Sequence, residues 1–408
     1  MPATPTSIRM AGFPQGLSLV LPVTLAVVGV AIFTATVAQM QAHFSDIPNG
    51  KYLVNLLQTM PGFWIVAFSP VAGWLADRFG RRPLLLYSMA FYAIAGVAPF
   101  SMDNIYAILA TRCVVGMCES VVLTVTTTML CDYFKGQARE RWLAGQSGVG
   151  SLSVLIIIPL GGKLGAIYGW QGPFLVYAIS LVWLACVAVF CWEPEHELHA
   201  SDEIAKINAD ARYQQIPWAR MSGIMVITLI SSVMFHSPLT QNANAFVELG
   251  VRDPAEIGRW ATLASIGVPI GTVCYWALGR LRIDLLFFVE YLLIGLGFTL
   301  MSRAATPMEY ALAANLQQVG FGLTLPMLLV WATRGLAYHI RGRGNGLWQG
   351  TFGLGLFVSG VVMQFLGELF DNSILKAFGA LGEVCLIAAA LTIIGMLAQR
   401  AILTGKRA

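Results

Sequence analysis

Residues 73–83 read GWLADRFGRRP and place four charged side chains between two long apolar segments. The two glycines allow a close helix approach and a sharp turn. Asp77 stands near a helix end, where a carboxylate can accept hydrogen bonds from the free N–H groups of another helix. The arginines need carboxylate partners, and Asp132 is the expected one. The pattern therefore predicts a tight, charged loop between two helices.

The rest of the chain is dominated by apolar segments of membrane-spanning length. Of its 408 residues, 57% are hydrophobic and only 11% are charged, whereas soluble proteins carry about 25% charged residues. A spanning helix needs roughly 20 consecutive apolar residues. Twelve such segments occur, at about 17–40, 51–76, 84–101, 105–131, 142–167, 172–192, 218–245, 257–279, 284–302, 307–333, 345–367 and 375–399. The composition predicts an all-α membrane protein with twelve transmembrane helices.

The positive charges predict the orientation of these spans. Lysine and arginine concentrate in cytoplasmic loops. With the amino terminus inside, eighteen of the 25 basic residues fall in inner loops and six in outer loops, and Arg112 alone lies within a span. Both termini are therefore expected in the cytoplasm, with the protein in a bacterial inner membrane. The net charge of +4 then reflects topology and does not indicate a nucleic-acid partner.

A polar segment divides the spans into two sets of six. We expect residues 1–192 to form one six-helix bundle, 193–217 a cytoplasmic linker and 218–408 a second bundle. Loop patterns repeat about 200 residues apart: Arg139-x-Arg141 returns as Arg341-x-Arg343, and GRLRID at 279–284 stands where the first half has its charged loop. Such duplication is typical of transporters with pseudo-symmetric halves.

The charged loop also resembles a known family. It is similar to the signature G-x-L-x-D-R-x-G-R-[RK] of the major facilitator superfamily, between helices 2 and 3. The matching residues are Gly73, Leu75, Asp77, Arg78, Gly80, Arg81 and Arg82. The resemblance implies a secondary transporter working by alternating access, with a gating role for this loop and its partner Asp132, and implies neither an enzyme nor a cofactor. A simpler interpretation is that the arginines only anchor the loop at the cytoplasmic surface.

The fourth span carries two charges in an otherwise apolar run, ATRCVVGMCESVVLTV at 110–125. Arg112 and Glu119 lie seven residues apart, so they share a helix face and are separated by about 10 Å along the axis. A tight bond between them is not expected, because helical side chains lean towards the amino terminus. Burial disfavours the charged form of Glu119 while a nearby cation favours it, which suits a proton acceptor. The pattern resembles helix 4 of Spinster-like and organic-anion branches of the superfamily, where this pair serves coupling or anion binding. A fixed interhelical ion pair is the alternative.

The fifth span offers a second, partial resemblance. Antiporter subfamilies carry G-x-x-x-G-P-x-x-G-G there, and this chain has Pro159, Gly161 and Gly162 but Ile158 in place of the glycine before proline. The match favours export. A glycine-rich face for helix packing is an equal explanation.

Polar residues in other spans are candidates for a substrate cavity, because helices 1, 4, 7 and 10 line the path in this superfamily. Span 7 carries a stripe at intervals of four that includes His236, which can be protonated near neutral pH or simply hydrogen-bonded within a packed core. The candidates are Gln39, Gln58, His236, Thr240, Asn244, Asn315, Gln318 and Trp348. Glu290 in the ninth span fits no such role, and we expect it to reach the cytoplasmic surface or pair with an arginine.

Two functions follow from these residues. The first is proton-coupled export of a small amphipathic or hydrophobic compound by a monomer without bound metal. The second is proton-coupled uptake of an organic anion held by Arg112. A membrane enzyme would need convergent catalytic groups, and the sequence contains no HExxH, GxSxG or Walker motif.

Overall fold

The computed structural model describes residues 11–194, 217–278, 281–333 and 341–405, and in these ranges the chain is helical throughout. The α-helices are α1 (Phe13–Val20), α2 (Val23–Ala31), α3 (Val37–His43), α4 (Gly50–Phe79), α5 (Arg81–Val97), α6 (Ile105–Tyr133), α7 (Gly136–Tyr168), α8 (Ile179–Phe190), α9 (Trp218–Glu248), α10 (Pro254–Ser265), α11 (Gly267–Leu278), α12 (Ile283–Ser302), α13 (Pro307–Thr333), α14 (Arg341–Leu369) and α15 (Ile374–Gly405). Short 3₁₀ segments, Ala98–Ser101 and Gly169–Ala178, precede α6 and α8.

These helices make up the twelve predicted spans and confirm the all-α membrane fold. Ten helical stretches of the described chain are long and apolar enough to cross a membrane by themselves. The first and eighth spans were expected to be single helices. Instead, the first consists of α1, α2 and α3, and the eighth of α10 and α11.

The breaks are tolerated because neighbouring side chains bind the backbone groups that they free. In a membrane, interrupted helices persist only where such partners exist. Between α10 and α11, Asn315 Nδ2 donates to the main-chain oxygen of Leu263 at 2.7 Å. In α9, Pro238 cannot donate to the residue four positions earlier, and Gln317 Nε2 donates to that Met234 oxygen at 3.4 Å. Both amides on α13 therefore stabilise irregular backbone in neighbouring spans.

The same helix neighbours recur in the two parts of the chain. α4 contacts α6 as α11 contacts α13, α5 contacts α8 as α12 contacts α15, and α2 contacts α7 as α9 contacts α14. This repetition supports the predicted division at 193–217, which stays a prediction. Residues 195–216 of the linker and 279–280 of the repeated loop lie outside the described residues, as do the side chains at 341 and 343.

The two parts touch mainly along α4 with α14 and α7 with α10. Towards the predicted outer side these contacts are close: a Cβ added at Gly162 would overlap the Pro254 main-chain oxygen, and one at Gly62 would lie 2.7 Å from Leu356. Towards the predicted cytoplasmic side, a Cβ at Gly73 or Gly346 would meet nothing within 4 Å. The close contacts found between the halves therefore lie at the predicted outer side, and Gly73 and Gly346 take no part in such a contact.

Candidate functional site

Arg112 is held inside the first half by aromatic rings. Its side chain is fully buried, and Nη2 donates to the Tyr177 hydroxyl at 2.5 Å. The guanidinium carbon lies 4.7 Å from the ring centre of Tyr177, 5.3 Å from that of Phe33 and 5.9 Å from that of Phe174. Ring faces attract a cation, so three rings and one hydroxyl replace the water that Arg112 has lost. Nε and Nη1 have no hydrogen-bond partner.

Glu119 is equally buried but has fewer interactions. Neither carboxyl oxygen has a hydrogen-bond partner. The carboxyl lies against the backbone of α2, because a Cβ added at Gly29 would overlap Oε1. The neighbouring Tyr92 hydroxyl donates to the main-chain oxygen of Leu25 at 2.7 Å. Glu119 is thus enclosed beside one hydroxyl that donates to the backbone and has no cation paired with it.

Arg112 and Glu119 form no ion pair with each other or with any other described residue, since the ion pairs found within 4.0 Å involve other groups. The separation agrees with their spacing of about 10 Å along α6. The alternative of a fixed interhelical ion pair is therefore wrong for the described part of the chain. Both side chains have no exposed surface, so neither lines an open path in this structure.

The sequence analysis missed the residues that surround this pair. Phe33, Tyr92, Phe174 and Tyr177 come from spans 1, 3 and 6. Aromatic residues are common in apolar spans, and only helix placement shows which of them face a charge. The usable signal was the presence of two tyrosines within spans, since a buried hydroxyl needs a partner. Gly116, the glycine of the span 4 pattern, lets α6 approach Pro61 and Trp64 of α4.

The charged loop makes the ion pair predicted from its sequence. Arg81 pairs with Asp132 at the end of α6. Arg82 Nη2 donates to the main-chain oxygen of Ala188 at 2.8 Å. Glu193, which was assigned to the linker, accepts hydrogen bonds from the backbone nitrogens of Arg81 and Arg82, each at 2.7 Å. These contacts fasten the amino terminus of α5 to the ends of spans 4 and 6.

Other loop residues behave differently. Gly80 has φ +88°, which supports the predicted turn. Gly73 was expected to allow close helix approach, but it has open space beside it. Asp77 is exposed and has no hydrogen bond or ion pair with a described residue. Arg78 lies over Trp74 and Phe79 of its own helix.

The span 7 stripe does not face a single cavity. His236 is buried, with Nδ1 2.9 Å from the Ser232 main-chain oxygen, and its ring contacts Phe352 of α14 at 5.1 Å. Thr240 donates to the backbone of its own helix. Asn244 lines a pocket at the predicted outer side.

The remaining cavity candidates are also dispersed. Gln58 connects the halves, because its Nε2 donates to the main-chain oxygens of Val30 at 3.2 Å and Leu239 at 3.4 Å. Gln39 is half-buried and Gln318 is buried. Asn315 supports the break in the eighth span. Trp348 stacks on Phe352 at 5.8 Å.

A polar pocket of about 240 Å³ lies between the halves at the predicted outer side. Its polar lining residues are Gln41, Lys51, Asn55, Gln241, Asn244, Glu248, Gln364 and Asn372. A chain of amides bridges the halves beside it: Gln41 Nε2 donates to Asn55 within the first half at 2.9 Å, and Asn55 Nδ2 donates across to Gln364 of α14 at 3.2 Å. We call Gln41, Asn55 and Gln364 the amide bridge.

An aromatic pair also joins the halves, further along α4 from this bridge. Phe63 of α4 lies 5.4 Å from Phe357 of α14. The indole nitrogens of Trp64 and Trp348 are buried donors without partners.

Two packed halves with ionisable side chains held among transmembrane helices define the class of polytopic membrane transporters. The model of the Major Facilitator Superfamily matches residues 19–360. The chain therefore belongs to the major facilitator superfamily.

Curated relatives match part of the chain. Probable anion transporter 4, chloroplastic, of Arabidopsis thaliana is 30% identical over 31% of this chain and 25% of its own length. Protein spinster homolog 1 of Rattus norvegicus is 27% identical over 40% of this chain and 30% of its own. The Bacillibactin exporter of Bacillus subtilis (strain 168) is 32% identical over 30% of this chain and 32% of its own. Each match thus spans about a third of the relative or less.

A solved structure matches nearly the whole chain. The D-xylose-proton symporter has a TM-score of 0.75 at 16% identity, over 93% of this chain and 97% of that one. At this identity the likeness shows the fold alone.

Proposed function

We propose that this transporter exports a small amphipathic or hydrophobic compound in exchange for protons, from a bacterial inner membrane with both termini in the cytoplasm. Glu119 is the proposed proton-binding group. The observation that carries the proposal is its environment: a fully buried carboxyl with no ion pair, whose neighbouring donor, the Tyr92 hydroxyl, is bonded to a main-chain oxygen. An isolated ionised carboxylate in such a place costs several kcal/mol. Glu119 therefore holds its proton here and releases it when the surrounding helices move.

Arg112 is the proposed counterpart of that carboxyl. Arg112 lies two turns from Glu119 on the same helix. Its permanent positive charge favours the ionised form of Glu119 once the helices rearrange. Its aromatic surroundings fix the guanidinium without neutralising it. Beside Arg112, the Glu119 carboxyl can therefore be protonated in one part of the transport cycle and ionised in another.

The aromatic contact between the halves supports an apolar cargo. Phe63, Phe357 and Trp348 offer ring surface, and the unpartnered indole nitrogens offer donors. Binding sites for small organic molecules usually combine an apolar lining with a few polar groups. The similarity to a protein named as an exporter agrees with this direction. The loop of Asp77, Arg81 and Asp132 is the proposed gate between the two six-helix halves.

The test uses inverted membrane vesicles with an imposed pH gradient and a lipophilic bisbenzimide dye as the transported probe. Wild-type vesicles should accumulate the dye when their interior is acid. Glu119→Gln should reduce gradient-driven accumulation at least tenfold, because the amide cannot carry a proton, while dye exchange without a gradient persists. Tyr168→Phe, at an exposed position, is the matched control. Full gradient-driven accumulation by a well-expressed Glu119→Gln protein contradicts the proposal.

Proton-coupled uptake of an organic anion is the second candidate, favoured by two unpartnered guanidinium nitrogens on Arg112. Similarity to a probable anion transporter agrees with it. In the same vesicles, carboxyfluorescein is loaded inside and its gradient-driven release is measured, because uptake into the cell corresponds to exit from an inverted vesicle. Arg112→Lys should abolish its transport, because lysine lacks the planar fork that binds a carboxylate, whereas export of the dye should keep part of its rate.

A further inference from the structure

A second buried carboxyl lies in the second half, on α12. Glu290 has no exposed surface, and neither of its oxygens has a hydrogen-bond partner. The sequence led us to expect that it reaches the cytoplasmic surface or pairs with an arginine. Both expectations are wrong for the described residues, because it is fully enclosed and takes part in no ion pair.

The groups around Glu290 are neutral. α13 contributes the Thr324 hydroxyl, which donates to the Gly320 main-chain oxygen at 3.1 Å. α15 contributes the Cys385 thiol, and Tyr291 lies beside Glu290 on its own helix. Basic residues near this end of α12 are engaged elsewhere: exposed Arg220 donates to Trp331, and Arg282 pairs with Asp284 at 3.0 Å. Trp331 contacts Phe287, three positions before Glu290.

Polar side chains extend from this carboxyl across the core of the second half. Tyr291 neighbours Ser231 of α9, and Cys385 contacts Met234 at 3.2 Å between the sulfur atoms. Thr228 Oγ1, Ser231 Oγ and Gln317 Oε1 are all buried without partners. Unpaired buried polar atoms are unusual in folded proteins. Here they lie on α9 and α13, in the core of the second half.

We propose that Glu290 is a second proton-binding site, one in each half together with Glu119. In the state described here Glu290 is a neutral carboxylic acid, because no basic side chain of the described residues pairs with it to compensate a negative charge. When the helices of the second half move and water reaches it, its O–H bond breaks, the carboxylate remains and the proton passes to that water. The inference rests on the proposed proton-coupled function and adds a separate site to it.

The test is infrared spectroscopy of the purified full-length protein, with protons as the only ligand. A protonated carboxyl has a carbonyl stretch that a carboxylate lacks. Wild type should show this band in an apolar environment and lose it as pH rises. Glu290→Gln should remove one carboxyl from the titration, and Glu119→Gln should remove a different one. Glu290→Asp should retain a titrating band at a shifted pH.

Each result supports or overturns the second site independently of the first. An unchanged titration in Glu290→Gln, or a Glu290 band that never titrates while the protein is folded, overturns the second site. Loss of the Glu290 component supports it. If Glu290→Gln fails to fold, a titrating band in Glu290→Asp that differs from wild type supports the site, and its absence overturns it. Failure of the Glu119 component or of gradient-driven dye transport instead contradicts the proposed function, so the two failures are distinct.

Discussion

At the scale of single residues, the first half contains a buried arginine, Arg112, that forms no ion pair with a described residue. Arg112 is stabilised by ring faces and by one hydroxyl. Because no acid neutralises it, its field remains available to whatever enters the neighbouring space. An ion pair at the same place would have cancelled most of that field.

The Tyr177 hydroxyl should therefore contribute measurably to the free energy of unfolding. Tyr177→Phe leaves the buried Nη2 of Arg112 without its acceptor, which costs about 1–3 kcal/mol. We expect the free energy of unfolding to fall by that amount, measured by denaturant unfolding in detergent. The control is Tyr168→Phe, where the hydroxyl is half exposed and the change should be below about 0.5 kcal/mol. Equal effects of the two substitutions would show that the hydroxyl does not support Arg112.

The sequence located the charges but not their environment. Arg112 and Glu119 stand out because charge is rare within spans. Phe33 and Tyr177 do not stand out, since their contact depends on how spans 1 and 6 rotate against α6. Arg81 and Asp132 were paired correctly because both lie at helix ends near one loop. The hydrogen bonds of Glu193 to the charged loop were not predicted, because a glutamate at the start of a polar segment is indistinguishable in sequence from the linker residues that follow it.

At the scale of helices, span number and length were predictable from hydropathy, but the breaks in spans 1 and 8 were not. The break between α2 and α3 contains neither proline nor glycine. It is stabilised from outside, where α7 approaches closely enough that a Cβ at Gly161 would overlap the Ile32 main-chain oxygen. The glycines of span 5 thus act as a packing face, as the alternative interpretation of that motif predicted.

Two glycines of α7 should respond differently to the same substitution. Gly162→Leu places a side chain where α10 now lies and should prevent the outer contact from closing. Gly145→Leu enters open space in this state and should not disturb it. We expect Gly162→Leu alone to destabilise this conformation by about 1–3 kcal/mol, measured as a lower melting temperature in detergent. Similar melting temperatures for both variants would contradict the close α7–α10 contact.

At the scale of the whole molecule, the contacts between the halves suit one end state of the proposed alternating cycle. The glycines at the joined side are in contact, whereas Gly73 and Gly346 face open space. A glycine with nothing beside it is explained if another chain segment occupies that space in the opposite state. The neighbours repeated in both halves allow each half to move as a unit.

This description predicts which positions react with a water-soluble maleimide. In a cysteine-free background, Gly73→Cys should be labelled rapidly in inverted vesicles, whereas Gly360→Cys, against Thr59 at the joined side, should be labelled slowly from either face. The expected ratio of rates is at least tenfold, because one site is open and the other enclosed. Rapid labelling of Gly360→Cys from the opposite face would mean that the protein rests in the other state.

The amide bridge has a consequence for the medium in which the protein works. Gln41, Asn55 and Gln364 join the halves through neutral groups, and none of the ion pairs found in the described residues crosses at this place. Dissolved salt weakens attraction between exposed charges but leaves amide hydrogen bonds largely untouched. The outer closure should therefore hold equally well in dilute and in saline surroundings, and the cell's exterior can change composition without opening the carrier.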